Sequence, residues 1–403
     1  MSAYQGRADD GRTAGRRGRA GERPPVTAAD EGGGAPEAGP RAVDRRKALA
    51  WLGGGTVAAS ALLSACSSSA NGNTPGQSVK GGVGNFPSTP KWKFVFVNHV
   101  TTNSFFTPTR SGLADAAAML GLPTPQWTGS ETGDVSQMAN AMQTAINSGA
   151  HGIAIALTDN NAFVGPTKTA FAKGIPVIAY NATAPGNYPL TYVGQDLYQS
   201  GYQMGLRIAQ NVTSGQILVG ISQPGGNNVQ PRLDGLKAAL KAKAPAVTVT
   251  SINTGAAQAG ELNAMTAAYS GHSGAKGLYA VDAGSTAAIA QLIKSRNLTG
   301  KVHAGGFDTL TDTIEGVKSG ALDFTIDQSA YLQGFLPVLY LYMYRLSGTL
   351  VAPPETDTGL TFVTKDNAGT YASANSVFEG GSSRSLINLP SSLTLPPAST
   401  VQL

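Results

Sequence analysis

From Trp92 onward, short runs rich in β-branched and aromatic residues alternate with longer segments whose apolar residues recur at helical spacing. That alternation dictates a parallel sheet covered by helices, because parallel neighbours need a crossover and a helix supplies it. The first cycle reads as strands at 93–97, 125–128, 153–156 and 177–180, a short one at 192–193, and helices at 107–120, 135–148 and 163–173. Within 135–148, Val135, Met138, Ala139, Met142 and Ile146 fall on one face, the stripe of a helix laid on a sheet. Gly149 and Gly174 follow helices, where a left-handed cap residue is favoured. A second cycle predicts helices at 199–210, 231–243, 261–269, 286–296 and 311–318, with strands at 217–221, 247–252, 277–281, 302–304 and 324–326. A long apolar helix at 331–346 and a last strand at 360–363 follow. Two such cycles without a long linker imply an α/β protein of two similar lobes.

The stretch before Trp92 has a different character. Residues 1–44 are rich in Gly, Ala, Arg and Pro and show no apolar periodicity, so disorder is expected there. Arg45, Arg46 and Lys47 then precede an apolar, small-residue run from Ala48 to Leu63, which ends at Leu63-Ser64-Ala65-Cys66. Basic patch, apolar run and small-residue site are the three parts of an export signal. The arginine pair resembles a twin-arginine signal, although Asp44 precedes it and Ala48 replaces the usual bulky residue. The last four residues resemble a bacterial lipoprotein box, which makes Cys66 the expected site of lipidation and membrane anchoring. Cys66 is the sole cysteine, so disulfides and Cys-based metal sites are excluded. Ten of the 29 Lys/Arg and seven of the 24 Asp/Glu lie in residues 1–47. Cleavage before Cys66 would therefore leave a net charge near +2 and no basic run, which argues against nucleic acid as a partner. No later apolar run is long enough to span a bilayer.

Ligands of open parallel sheets sit outside the carboxyl ends of the strands. The residues that follow the strands here are Asn103-Ser104-Phe105-Phe106, Thr158-Asp159-Asn160, Asn181, Asp282, Phe307-Asp308 and Gln328, with Arg232 opening a helix. Carboxylates and amides can bond vicinal hydroxyls, a guanidinium can bridge two oxygens, and aromatic rings can cover C–H faces. That set suits a polyhydroxylated ring.

The order Asn103-x-Phe105-Phe106, Gly149…Thr158-Asp159, Gly174-Ile175-Pro176-Val177-Ile178, Arg232-x-x-Gly235, Gly306-Phe307-Asp308 and Gln328 resembles periplasmic sugar-binding proteins of the ribose-binding type over about residues 92–365. The resemblance implies the type I periplasmic binding fold: two Rossmann-like lobes joined by a three-segment hinge. It also implies capture of a monosaccharide or polyol, delivery to an ABC permease in the membrane, and a monomer without a cofactor. By position, Asn103, Phe105, Phe106, Arg232, Asp282, Phe307, Asp308 and Gln328 match the family's ligand contacts; Asp159 and Asn181 join them from their places after strands. Ribose binders carry Asp-Arg where this chain has Asn181-Ala182, Asn in place of Asp282, and an aromatic residue near Ala256. These departures point to another pentose, a hexose, a cyclitol or a related polyol.

The expected organisation is a leader with export signal at 1–65, a tether at 66–91, an N-terminal lobe from 92–193 plus 330–362, a C-terminal lobe at 194–329 and a tail at 366–403. An exported protein held at the outer face of the cell membrane is the corresponding location. A sugar-sensing receptor for a membrane sensor kinase is the alternative. His99, His151, His272 and His303 lack ligand spacing, so no metal is expected. Gly225-Gly226-Asn227-Asn228 lacks the Lys-Ser/Thr of a phosphate loop and reads as a turn. No nucleophile elbow or zinc motif suggests an enzyme.

Overall fold

The structure, a computed structural model, describes residues 90–371. The export signal, Cys66, most of the tether and the tail beyond 371 lie outside the described residues. Among those described, no helix is long and apolar enough to cross a membrane.

The first lobe is built on β1 (Phe94–Asn98), β2 (Gln126–Gly129), β3 (Gly152–Ile155), β4 (Val177–Tyr180) and β5 (Tyr192–Gly194). Helices α1 (Thr107–Met119), α2 (Val135–Asn147) and α3 (Val164–Ala172) connect them. The second lobe repeats the scheme with α4 (Leu197–Asn211), β6 (Ser214–Ile221), α5 (Gln230–Lys243), β7 (Ala246–Asn253), α6 (Gln258–Gly271), β8 (Gly277–Ala280), α7 (Ala283–Ser295), β9 (His303–Phe307), α8 (Thr311–Ser319) and β10 (Phe324–Asp327). The chain then crosses back as α9 (Leu332–Ser347), which packs on α1, and as β11 (Glu355–Asp357), before returning as β12 (Thr361–Val363).

Sheet order is β2-β1-β3-β4-β5-β11 in one lobe and β7-β6-β8-β9-β10-β12 in the other. All pairings are parallel except β10 with β12. Both are doubly wound, with the ordering reversed beside the first strand of each sheet, so ligand space falls at the carboxyl ends there. Strands β1, β3 and β4 are buried throughout, as parallel strands covered on both faces must be. The first core joins Phe94, Phe96, Met138, Met142, Ile153 and Tyr180, and the second lobe has its own clusters on either face of its sheet. Gly149 and Gly174 adopt the left-handed conformation (φ 72° and 69°), as their places after α2 and α3 require.

Three segments cross between the lobes: β5 to α4, β10 to α9, and β11 to β12. The last crossing corrects two boundaries. Thr361–Val363 was expected in the N-terminal lobe but pairs with β10, because Thr325 to Asp327 offer it a free sheet edge. The tail does not begin at 366: Ala368 and Tyr371 lie in the second lobe's core, where Tyr371 donates to Asp327 Oδ2 at 3.1 Å. Strand β11 was unforeseen because Glu355-Thr356-Asp357 carries no apolar residue; it is held by its backbone register on β5 and by a hydroxyl contact between Thr356 and Tyr340 of α9.

Candidate functional site

A narrow cleft opens where the carboxyl ends of both sheets meet. Eight of the ten residues expected to touch a ligand line it: Asn103, Phe105, Phe106, Asn181, Arg232, Asp282, Asp308 and Gln328. The first four come from the first lobe, Arg232, Asp282 and Asp308 from the second, and Gln328 from the crossing after β10.

Arg232 dominates the second-lobe wall. It sits in the first turn of α5, beside Pro231 of that same turn, and is only 3% exposed. Its guanidinium carbon lies 4.1 Å from the centre of the Phe307 ring, Nη1 donates to Val281 O (3.2 Å) and Nη2 to Gln195 Oε1 (3.1 Å). Nε is buried without a partner. Burial lowers the Arg232 pKa, and Asp308, Tyr192 and Asp282 oppose that shift by Coulomb attraction.

Asp308 follows β9 in the left-handed conformation (φ 72°), uncommon for a residue with a side chain. Two bonds hold it there: its N–H donates to Ile326 O (2.7 Å) and its carbonyl accepts from Thr325 Oγ1 (2.7 Å). Gln328 Nε2 donates to Asp308 Oδ1 at 2.6 Å. Burial raises the carboxyl to about 7, although Arg232 and the Gln328 bond pull the other way.

Amides tie this wall to the first lobe across the hinge. Asn181, also left-handed (φ 62°), donates through Nδ2 to Gln333 Oε1 (3.0 Å), and Gln333 Nε2 donates to Gln328 Oε1 (3.1 Å). A chain Asn181–Gln333–Gln328–Asp308 therefore spans both lobes.

On the facing wall, Asn103 Oδ1 accepts from Phe105 N–H (2.9 Å) and so caps the single 3-10 turn Ser104–Phe106. Phe105 and Phe106 meet edge-on, centroids 4.7 Å apart. Phe106 is buried in the first core, whereas Phe105 also packs on Ala283, Ala287 and Leu310 of the other lobe. Asp282 caps α7: Oδ1 accepts from Ser285 N–H (2.9 Å) and Oδ2 from Ser222 N–H (2.8 Å).

Two expected contacts lie elsewhere. Asp159 is not on the cleft wall; its Oδ1 accepts from the N–H groups of Asn161 and Ala162 (both 2.8 Å), the work of a turn carboxylate. Phe307 is fully buried among the second lobe's apolar residues and forms the shelf under Arg232. Five polar residues of the wall were not foreseen: His99, Ser222, Gln223, Asn228 and Glu261. Asn228 belongs to the Gly-rich segment read as a plain turn. That turn carries a set of cross-lobe bonds: Asn228 Nδ2 with His99 Nε2 (3.2 Å), Asn227 N–H to Thr158 O (3.0 Å), Asn227 Nδ2 to Asn160 Oδ1 (2.9 Å), and nearby Gln223 Nε2 to Gly133 O (3.3 Å). Burial lowers His99 to about 4, so its ring is neutral at pH 7. Among the described residues, no group of three or more His, Cys, Asp or Glu could hold a metal ion.

Known proteins share this architecture. Chain residue by chain residue, 41% identity over 367 residues (84% of this chain, 90% of the relative) links it to the xylose/arabinose-binding protein XylF of Sulfolobus acidocaldarius. A solute-binding protein of an ABC transporter from Burkholderia graminis, solved with D-arabinose, superposes with a TM-score of 0.66 at 25% identity, covering 71% of this chain and 99% of that one. Another from Agrobacterium vitis, solved with D-fucose, gives 0.66 at 24% identity, covering 70% and 99%. Residues 94–348 match the periplasmic binding protein domain family. With two doubly wound lobes, a three-segment hinge and a polar cleft between them, the chain belongs to the periplasmic binding protein family.

Proposed function

We propose that this protein is an extracytoplasmic receptor that captures a monosaccharide or polyol between its lobes and delivers it to an ABC importer. The observation that carries the reading is the convergence of Asn103, Asn181, Arg232, Asp308 and Gln328 on one cleft, with Phe105 reaching from one lobe onto the other. Arg232 is already oriented by its ring shelf and two bonds, and its Nε–H is a buried donor suited to a ring or hydroxyl oxygen. Buried polar groups in such a site favour a partner with hydroxyls at matching places and penalise one that lacks them.

An aldopentose is the ligand class we favour, from the 41% identity to a xylose/arabinose-binding protein. Asn181, Asp282 and Ala256 on the wall argue for a guest other than ribose. A ligand that touches both walls stabilises the closed arrangement by its differential contacts, which is how a hinged receptor signals occupancy. Export, acylation of Cys66 and membrane anchoring follow from the leader's resemblance to lipoprotein signals, and the body then acts as a monomer. A thermal-shift screen of residues 66–403 against pentoses, hexoses, cyclitols and sugar alcohols tests the ligand class, since a ligand that binds only the folded state raises Tm. A Tm rise with D-xylose or arabinose is expected; no rise with any member of the panel would overturn the reading. Metabolic labelling with a palmitate analogue tests the anchor, with labelling expected in the wild type and lost in C66A.

A further inference from the structure

We propose that Glu261 is a ligand-binding group of the cleft, presenting its carboxyl to a hydroxyl of the bound sugar. This rests on the sugar-receptor reading above and adds a residue to it. Glu261 lies in the first turn of α6, a helix whose start seldom buries an acid, yet it is only 1% exposed and lines the cleft. Its Oε2 is buried and receives no N–H or hydroxyl bond from the chain, and the group that meets this carboxyl is Asp282, with which it shares a hydrogen bond.

The fold makes room for this carboxyl. A Cβ on Gly284, in the first turn of α7 and on the same wall, would collide with Glu261 Oε1, Oε2 and Cδ. Gly284 therefore admits the acid to the place where α6 and α7 meet below the cleft floor.

The charged group that faces it is Asp282. Strands β6 and β7, which also pack against α6, carry no ionisable side chain, and the one charged residue of α7, Lys294, is at its far end. Burial and then the neighbouring Asp282 push Glu261 up to about 9. Asp282 is itself raised by burial, but accepts two backbone N–H bonds that favour its charge. Two adjacent buried carboxyls hold one proton more easily than two charges, and these bonds put that proton on Glu261. At neutral pH Glu261 thus carries a proton, which it shares with Asp282, and its carboxyl oxygen is left to accept from a sugar hydroxyl, while Arg232 supplies the positive partner of the same cleft.

Isothermal titration with D-xylose and L-arabinose, on wild type, E261A, E261Q and R232A, tests the assignment. E261A is expected to weaken binding about tenfold at pH 7, and E261Q, which keeps size and a donor, to stay within about threefold. From about pH 8 to about pH 10 wild-type affinity should fall while that of E261Q holds, as the donor is lost on ionisation. If E261A does not fold, the E261Q pH comparison decides alone. Wild-type affinity in both Glu261 variants, or an alkaline decline shared by E261Q, makes the residue structural and overturns the proposal while R232A still weakens binding tenfold or more. No binding of either sugar by the wild type overturns the sugar-receptor reading itself.

Discussion

The two lobes share a strand order but divide the cleft's chemistry unequally. The first brings aromatic rings, amides and a neutral imidazole: Asn103, Phe105, Phe106, Asn181 and His99. The second brings the ionisable groups: Arg232, Asp282, Asp308 and Glu261. Charged groups buried in one wall are expensive and need fixed partners, so they sit on the lobe whose strand ends and helix starts can satisfy them. Rings and amides tolerate a change of surroundings better, and they occupy the facing wall. The comparison suggests that the second lobe holds the ligand's polar edge and the first covers its faces.

The sharpest way to break that division is at Arg232. R232A or D308A should weaken sugar binding tenfold or more, about 1.4 kcal/mol or above, with the fold retained by circular dichroism. Unchanged calorimetric affinity in both would move the polar anchor elsewhere. Next in size, F105A should cost about threefold to tenfold, because Phe105 packs on both lobes and its loss weakens closure as well as ring contact.

A smaller effect concerns stability. Asp308 holds its proton more tightly in the folded protein, at about 7 against an ordinary 3.8. Its stabilising contribution is therefore complete below about pH 4 and is lost as pH rises towards 7. The Tm of the ligand-free wild type should lose ground to that of D308N across this window; a constant difference would place the proton elsewhere. His99 has the opposite sign, since its lowered pKa favours the folded state as pH rises through the window, which is why the difference between the two proteins is the useful quantity. Least of all, N227A removes amide contacts at the mouth and should speed sugar release by about threefold or less in stopped-flow measurements.

Much of this molecule could be read in advance, for identifiable reasons. Strands β1, β3, β4 and β8 are continuous apolar runs, and the helices between them carry stripes, so the periodicity is unambiguous. Eight cleft residues were legible because doubly wound sheets put ligands after their strands. Asp159 obeyed the same placement but spent its oxygen on its own turn, a choice between local and distant partners that spacing cannot decide. Phe307 ends β9 one position before the cleft residue Asp308, and its ring packs into the second lobe's core. Glu261 stayed hidden because its burial depends on Gly284, 23 positions away. Asn227 and Asn228 were hidden by company: in a Gly-rich stretch, amides look like turn formers.

The three crossings have a consequence for how the chain comes into being. The first lobe is missing α9 and an edge strand until residue 357 has been made, and the second lacks β12 until 363. Neither half is a contiguous stretch, so neither can be cut free or finished early as the polypeptide grows from its N-terminus. Both must mature almost together, near the end of synthesis, which keeps the chain unfinished for longer than two beads on a string would be.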